Sequence, residues 1–208
     1  EISLGLVGSE MCIRDSILTT PVRKTEDGLE TIVSVNYVAP YMLTRQLLPL
    51  MQPGCRIVNT VSCTYAIGRI EPDFFEKGRN GRFFRIPVYS NTKLALLLFT
   101  QELAERLQNQ GITINASDPG IVSTNMITMQ AWFDPLTDIL FRPFIKTPVQ
   151  GAATAIHLAL SDEAKDRNGC CYANCKKRNV SERIRHHAQQ KQLWDDTEIL
   201  LRQKGIRF

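Results

Sequence analysis

The chain has 208 residues, of which 43% are hydrophobic and 22% are charged, so its length and composition fit one globular domain better than two. Its net charge of +4 is spread along the chain, and no aromatic residues interleave with the basic clusters to stack on bases, which argues against a nucleic-acid-binding protein. No apolar run is long enough to span a bilayer as a helix.

Cysteines and basic residues form small clusters near the end of the chain. We interpret the basic clusters 176–178 and 183–187 as solvated faces. Among the six cysteines, Cys170, Cys171 and Cys175 lie close together, but their spacing matches no common zinc pattern. We therefore predict no metal site, and we interpret these cysteines as buried free thiols of a protein in a reducing compartment.

The first fifteen residues differ in character from the rest of the chain. They contain no helix cap and no clear hydrophobic period, and Gly5 and Gly8 lack the third glycine and the strand-to-helix setting of a dinucleotide fingerprint. The segment is similar to translated sequencing-adaptor sequence. We expect residues 1–15 to be foreign to the protein.

The readable pattern begins at Thr25, a plausible N-cap for a long amphipathic helix that we predict to reach residue 51 with a kink at Pro40. A β-branched run at 55–61 predicts a buried strand, and the polar stretch 63–87 after Ser62 predicts a loop or lid.

A second strong helix is predicted at 88–110, closed by Gly111 in the left-handed C-cap position. The alternating run 112–117 predicts a strand that stops at Asp118. The later elements are a Phe-, Trp- and Pro-rich loop, a helix at 148–160, a strand at 170–174 and a polar helix at 181–203. Alternation of helix and strand indicates an α/β fold with a mostly parallel sheet covered on both faces.

Tyr89 and Lys93 are four residues apart on a predicted helix, so both side chains project from one face and can act on one bound molecule. The helix connects two predicted parallel strands, and Ser62 stands at the carboxyl end of the first strand. Open α/β sheets bind ligands at that edge. A phenol needs a neighbouring cation to act as a base near neutral pH, and Lys93 is placed to supply it.

Four features together resemble the catalytic half of the short-chain dehydrogenase/reductase family in order and spacing, over about residues 16 to 203. They are Asn36, the segment 56–62 ending in Ser62, Tyr89 with Lys93, and the segment 118–124. Thr25-Glu-Asp-Gly-Leu-Glu30 and the late Tyr-Ala-Asn-Cys175 are most similar to the retinol-dehydrogenase-like branch.

The resemblance implies a role for each site residue. Tyr89 is the expected proton donor or acceptor, and Ser62 is expected to hold the reacting substrate oxygen. Asn36 is expected to hold a water that relays the proton onward through Lys93, which would also bind the nicotinamide ribose. The cofactor-binding residues implied are Tyr89, Lys93, Pro119, Gly120, Ile121 and Thr124. Asn59 is expected to be structural.

The glycine-rich turn, the residue that selects NAD or NADP, and the Asn-Asn-Ala-Gly element of the family are absent. The predicted fold is therefore a partial Rossmann-like, doubly wound parallel sheet that lacks its N-terminal strands, and we expect a truncated chain with an exposed apolar sheet edge and little or no dinucleotide binding.

The sequence supports two hypotheses of different class. The first is an NAD(P)-dependent oxidoreductase, here as an inactive fragment, that acts on a small lipophilic alcohol or carbonyl. The second is a non-catalytic module that forms a homodimer through the helices 26–51 and 88–110. Location stays open between the cytoplasm and the cytosolic side of a membrane, the latter if an N-terminal anchor precedes the chain.

Overall fold

The computed structural model describes residues 24–75, 85–122 and 146–206. No helix of this described part is both long and apolar enough to cross a membrane. Its helices are α1 (Thr31–Val33), a π-helical turn (Ser34–Val38), α2 (Ala39–Leu47), α3 (Arg85–Arg106), α4 (Pro148–Leu160), α5 (Glu182–Arg185) and α6 (Gln190–Gln203). Its strands are β1 (Arg56–Thr60), β2 (Thr113–Asp118), β3 (Cys171–Ala173) and β4 (Lys176–Lys177). Short 3₁₀ turns occupy Leu48–Leu50, Cys63–Ile67 and Asp162–Ala164.

The sheet has the order β1-β2-β3-β4, with β1, β2 and β3 parallel and β4 antiparallel to β3. Thr60 of β1 lies opposite Ser117 of β2, so both strands end at the same edge. The chain passes from β1 to β2 through α3 and from β2 to β3 through α4, which are the crossover connections that parallel pairing requires. The predicted α/β fold with a mostly parallel sheet is confirmed.

The first long helix begins later than predicted. Thr25 caps a preceding turn, where its hydroxyl accepts from the Leu29 N–H at 3.3 Å, and the helix is instead capped by Glu30, whose carboxylate accepts from the Val33 N–H at 3.0 Å. Gly28, at φ +79°, occupies a left-handed position between the two. The sequence at Thr25 favours a helix cap, but Gly28 takes the backbone out of helical geometry before the helix begins.

Pro40 is accommodated by a π-helical turn over Ser34–Val38, where a kink was predicted. Proline has no N–H and its ring crowds the carbonyl four residues earlier, which here belongs to Asn36. The wider π turn relieves that conflict, and such turns are frequent at functional sites.

Two other helices differ in extent from the prediction. Helix α3 begins at Arg85 and ends at Arg106, and the turn after it holds Asn109 and Gly111 at positive φ. Gly111 is therefore left-handed as predicted, but it closes a turn beyond the helix. The predicted polar helix 181–203 is two helices, because the backbone leaves helical geometry at His186.

The core lies on α3, whose residues 92–100 are all buried. The helix packs against α6, the π turn, β2 and the 3₁₀ turn after β1. This stretch is buried within the described part of one chain, and the homodimer through the helices 26–51 and 88–110 stays a prediction. Exposed apolar side chains occur instead on α2, at Leu43 and Leu47.

The described cysteines are all free, and they are less buried than predicted. Cys171 is buried in the core, Cys170 and Cys175 are half-buried, and Cys55 and Cys63 are exposed. In the described ranges, no three His, Cys, Asp or Glu side chains lie together in a metal-binding arrangement.

Candidate active site

Polar side chains gather where β1 and β2 end. Ser62 comes after β1 with one residue between them, and the Val61 N–H donates to the Ser117 carbonyl at 2.9 Å, so the pairing of the two strands continues to their last residues. Asp118 ends β2. This is the carboxyl edge of parallel strands, where α/β sheets bind their ligands.

Lys93 reaches this edge from the buried face of α3. Its side chain is almost completely enclosed, at 2% exposure for the residue, and its Nζ donates to the Thr60 carbonyl at 2.9 Å. The same Nζ lies 5.5 Å from the ring centroid of Tyr89, which is half-buried one helical turn earlier. The structure therefore brings the predicted Tyr89 and Lys93 together at the end of β1.

Burial changes the acid–base behaviour of Lys93. Removal of the ammonium from water lowers its pKa to about 7, and the negative charge of Asp118 opposes that fall. Lys93 is thus poised between its charged and neutral forms near physiological pH. Strong perturbation of a titratable group in a cleft is typical of functional sites.

Asn36 lies in the same region as predicted, on the π turn. Its Nδ2 donates to the Thr92 hydroxyl at 3.4 Å, and that hydroxyl donates to the Tyr89 carbonyl at 2.7 Å. Asn36 is buried and connects the first helix to the helix that carries the tyrosine. Asn59, by contrast, donates to the Thr100 hydroxyl at 3.0 Å within the core, which agrees with the structural role expected for it.

Ser62 is half-buried and begins the 3₁₀ turn after β1. Its Oγ accepts from the Thr64 N–H at 3.4 Å and so acts as an N-cap. A hydroxyl in this position still has a proton to donate and a second lone pair to offer.

The segment after β2 forms a tight turn. Gly120 has φ +77°, and its N–H donates to Oδ1 of Asp118 at 3.0 Å. Ile121 is 42% exposed, whereas Thr124 lies outside the described residues.

Lys146 contacts this turn. Its Nζ donates to the Pro119 carbonyl at 2.9 Å, and a Cβ added at Gly120 would lie 3.0 Å from that Nζ. The turn therefore requires glycine.

Two cations at this edge were missed by sequence reasoning. Arg178, which we interpreted as part of a solvated face, donates to Oδ2 of Asp118 at 2.7 Å and lies 5.9 Å from the Tyr65 ring centroid. Lys146 also donates to Oδ1 of Asn174 at 2.6 Å. The β3–β4 hairpin is thereby fixed to the Asp118–Gly120 turn at two points. No sequence pattern indicates either contact beyond the presence of the basic residues.

A cavity of about 520 Å³ lies along the edge of β1 that no described strand covers, between α2 and α4. Asn36, Thr60 and Lys93 line its polar end, and Leu43 and Leu160 are among the apolar side chains along its length. Leu160 is 76% exposed.

The chain is similar to known proteins along most of its length. A family model described as Enoyl-(Acyl carrier protein) reductase matches residues 11–165. Retinol dehydrogenase 12 of Mus musculus and of Homo sapiens is 36% identical over 194 residues, which is 92% of this chain and 60% of each relative. The chain thus spans about three fifths of the length of these curated relatives.

Solved structures show the same fold. A putative uncharacterized protein from Mycobacterium Paratuberculosis matches with a TM-score of 0.68 at 24% identity, over 91% of this chain and 65% of that chain. A blue fluorescent protein from a metagenomic library, solved in complex with NADPH, matches with a TM-score of 0.57 at 26% identity, over 77% of this chain and 61% of that chain. The partial Rossmann-like sheet predicted from the sequence is confirmed.

Proposed function

Because the chain belongs to the short-chain dehydrogenase/reductase family, we propose that the full-length protein transfers hydride between a nicotinamide cofactor and a lipophilic alcohol or carbonyl compound. The observation that carries the proposal is the position of Lys93. An ammonium group is buried at the carboxyl edge of the sheet, fixed to the Thr60 carbonyl, beside the ring of a half-buried tyrosine four residues earlier.

The described residues fit the nicotinamide end of such a cofactor. Lys93 lines the cavity beside β1, and an ammonium has three N–H donors, so it can serve the Thr60 carbonyl and a ribose hydroxyl together. The Pro119–Gly120 turn presents backbone at the same edge, with a glycine where a side chain would meet Lys146. We assign cofactor contacts to Tyr89, Lys93, Pro119, Gly120, Ile121 and Thr124. When bound, the nicotinamide ring supplies the hydride donor or acceptor.

Each side chain then has a task that its chemistry allows. The Tyr89 hydroxyl gives its proton to the carbonyl oxygen during reduction and takes one from the alcohol during oxidation. Lys93 in its charged form stabilises the phenolate that remains after the proton has left. The Ser62 hydroxyl donates to the same substrate oxygen and holds it about 3 Å from the phenol.

Asn36 connects the site to solvent in this proposal. Its carboxamide is buried between the π turn and α3, and it lines the cavity together with Lys93. A water bound between these two side chains would return a proton to Lys93 after each reduction and carry one away after each oxidation.

The substrate class rests on the relatives. The curated relatives carry the name retinol dehydrogenase, which describes a lipophilic alcohol as substrate for those proteins. We propose a substrate of that chemical class for this protein, with either NADP or NAD as cofactor.

The test is a turnover assay of the full-length protein with retinoid, steroid and aliphatic alcohols and aldehydes, each with both nucleotides. We expect nucleotide-dependent turnover of at least one lipophilic substrate, and a loss of about 10²- to 10⁴-fold in kcat/KM for Tyr89→Phe, because general acid–base catalysis contributes about that much. No turnover with any pair, together with a Tyr89→Phe variant that behaves like wild type, would reject the enzyme and favour the non-catalytic module.

A further inference from the structure

The tip of the β3–β4 hairpin has an unusual backbone, and the proposed reaction gives it no task. Two residues, Asn174 and Cys175, connect the two strands. Both have left-handed backbones, at φ 52° and 57°. A two-residue hairpin connection of this kind is a type I′ turn, in which asparagine suits the first position and glycine the second. Cys175 therefore occupies a position that glycine would fill with less strain.

Contacts with the segment around α4 hold this tip in place. The Cys175 N–H donates to the hydroxyl of Thr154, a buried residue of α4, at 3.2 Å. The Asn174 Oδ1 accepts from Lys146 Nζ at 2.6 Å. An ammonium can only donate, so the oxygen of the carboxamide has to face it. A strained backbone persists only where its surroundings fix it, and the tip is thus a fixed point from which Asn174 reaches Lys146.

Lys146 connects this fixed point to the turn after β2. Its Nζ also donates to the Pro119 carbonyl at 2.9 Å, and its backbone N–H donates to the Ile121 carbonyl at 2.8 Å. A Cβ added at Gly120 would lie 3.0 Å from the lysine Nζ and 3.2 Å from its Cε. One lysine therefore bonds to the residues on both sides of Gly120 and covers Gly120 itself.

The stability of the fold gives little reason for this arrangement. Both partners of the Lys146 ammonium are neutral oxygens, and within the part of the chain that the structure describes no carboxylate forms an ion pair with it. The contact with Asn174 is exposed, so water can serve either partner and the contact alone does little to hold the fold. What the contact does restrain is the shape of the Pro119–Gly120 turn.

Resting on the proposed function, we propose that Asn174 and Lys146 are positioning residues that preorganise the Pro119–Gly120 turn for the nicotinamide cofactor. Asn174 fixes the ammonium, and the ammonium fixes the turn. A loop already held in its bound shape binds more tightly, because less conformational entropy is lost on binding. The restraint therefore acts on nucleotide affinity and leaves the proton-transfer step unchanged.

The first test is the Kd of NADPH and NADH for the full-length protein, with nucleotide KM and kcat measured alongside. Asn174→Gly removes the amide oxygen but keeps the hairpin turn, because glycine adopts positive φ freely. Arg178 still binds Asp118 in this variant, so the hairpin stays attached. We expect Kd and KM to rise about threefold to tenfold, the factor that one hydrogen bond supplies, with kcat unchanged. Wild-type affinity in Asn174→Gly would overturn the proposal.

A double-mutant cycle tests whether the asparagine acts through the lysine. Lys146→Met keeps an apolar stem over Gly120 and removes the ammonium, so it should weaken nucleotide binding at least as much as Asn174→Gly. In the Lys146→Met background, Asn174→Gly should then have no further effect, because the contact is already lost. Losses that add in the double variant would overturn the proposal.

Two control variants separate the amide oxygen from the backbone of the hairpin. Asn174→Asp retains an oxygen that accepts from the ammonium, so its Kd should stay within about twofold of wild type. Cys175→Gly relaxes the other left-handed position without removing the contact between Asn174 and Lys146, and it should leave Kd unchanged. Equal losses in Asn174→Gly and Cys175→Gly would overturn the proposal, since the backbone of the hairpin would then be the cause.

Amide hydrogen exchange is a readout that needs no nucleotide. The Gly120 N–H donates to Oδ1 of Asp118, and the turn must open before this N–H can exchange. In Asn174→Gly it should exchange about threefold to tenfold faster, while the amides of β2 keep their wild-type rates. Wild-type protein that binds neither nucleotide would reject the proposed function, and the exchange rates would still decide whether the hairpin holds the turn. Unchanged exchange at Gly120 in Asn174→Gly would overturn that positioning role.

Discussion

The molecule holds two tyrosines with a cation four residues later on the same helix, and the two pairs have opposite characters. Tyr41 and Arg45 lie on α2, and Tyr89 and Lys93 lie on α3. The Tyr41 hydroxyl donates to Oε1 of Glu198 at 2.7 Å, and Arg45 Nε donates to the same oxygen at 3.0 Å. Tyr89 instead stands half-buried at the carboxyl edge of the sheet, and its cation is fixed to a backbone carbonyl.

The surroundings decide which pair can transfer protons. Tyr41 is fully buried between Phe99 and Trp194, with ring centroids at 4.7 and 5.2 Å. Burial, together with the hydrogen bond to Glu198, raises the pKa of Tyr41 far above its ordinary value. That phenol is a structural donor. Identical spacing thus gives a core contact in one helix and a candidate acid–base pair in the other.

The largest effect on stability is expected when the buried contacts of Tyr41 and Arg45 are removed. Glu198→Ala removes the carboxylate that Tyr41 and Arg45 share in a largely buried setting. We expect a loss of about 3 kcal/mol in the free energy of unfolding, measured by urea denaturation of the full-length protein. Glu182→Ala, which breaks an exposed pair with Arg185, should change it by less than about 1 kcal/mol. Equal losses in the two variants would contradict the structural role.

A second effect, which depends on pH, is expected at the Tyr89–Lys93 pair. The pKa of Lys93 is about 7 in the folded protein and near 10.5 when it is exposed, so the unfolded chain binds more protons between these values. Stability therefore rises with pH in that interval. Lys93→Met should remove the rise, so that wild type gains on the order of 3 kcal/mol relative to the variant between about pH 7 and pH 10.

Arg45→Met is the matched control, because a guanidinium stays protonated throughout this range. Its difference from wild type should be constant with pH. The measurement is urea unfolding at several pH values. A difference between wild type and Lys93→Met that does not vary with pH would show that the lysine is not strained by burial.

Local patterns in the sequence predict much of this molecule. Strands β1 and β2 are indicated by β-branched and alternating runs, and α3 is indicated by its leucines. Helix periodicity predicts the position of Lys93 beside Tyr89, and the end of a strand predicts the position of Ser62. Each of these inferences needs only neighbours along the chain.

Features that depend on distant contacts could not be predicted in this way. Tyr41 and Glu198 are 157 residues apart, and Asp118 and Arg178 are 60 residues apart. The sequence also did not distinguish the π turn over Ser34–Val38 from a kink, because a helix can accommodate Pro40 in either way. Sequence reasoning predicted the candidate site residues and missed the residues that contact them from distant parts of the chain.

The most direct test of the proposed chemistry is a single-turnover measurement of deuterium transfer from 4-deuterated NADPH or NADH to a lipophilic aldehyde by the full-length protein. Wild type, Tyr89→Phe and Tyr41→Phe are compared side by side. We predict deuterated alcohol from wild type and from Tyr41→Phe at similar rates, and a rate about 10²- to 10⁴-fold lower from Tyr89→Phe. Transfer by Tyr89→Phe at the wild-type rate, or a loss confined to Tyr41→Phe, would contradict the assignment of Tyr89 as the proton donor.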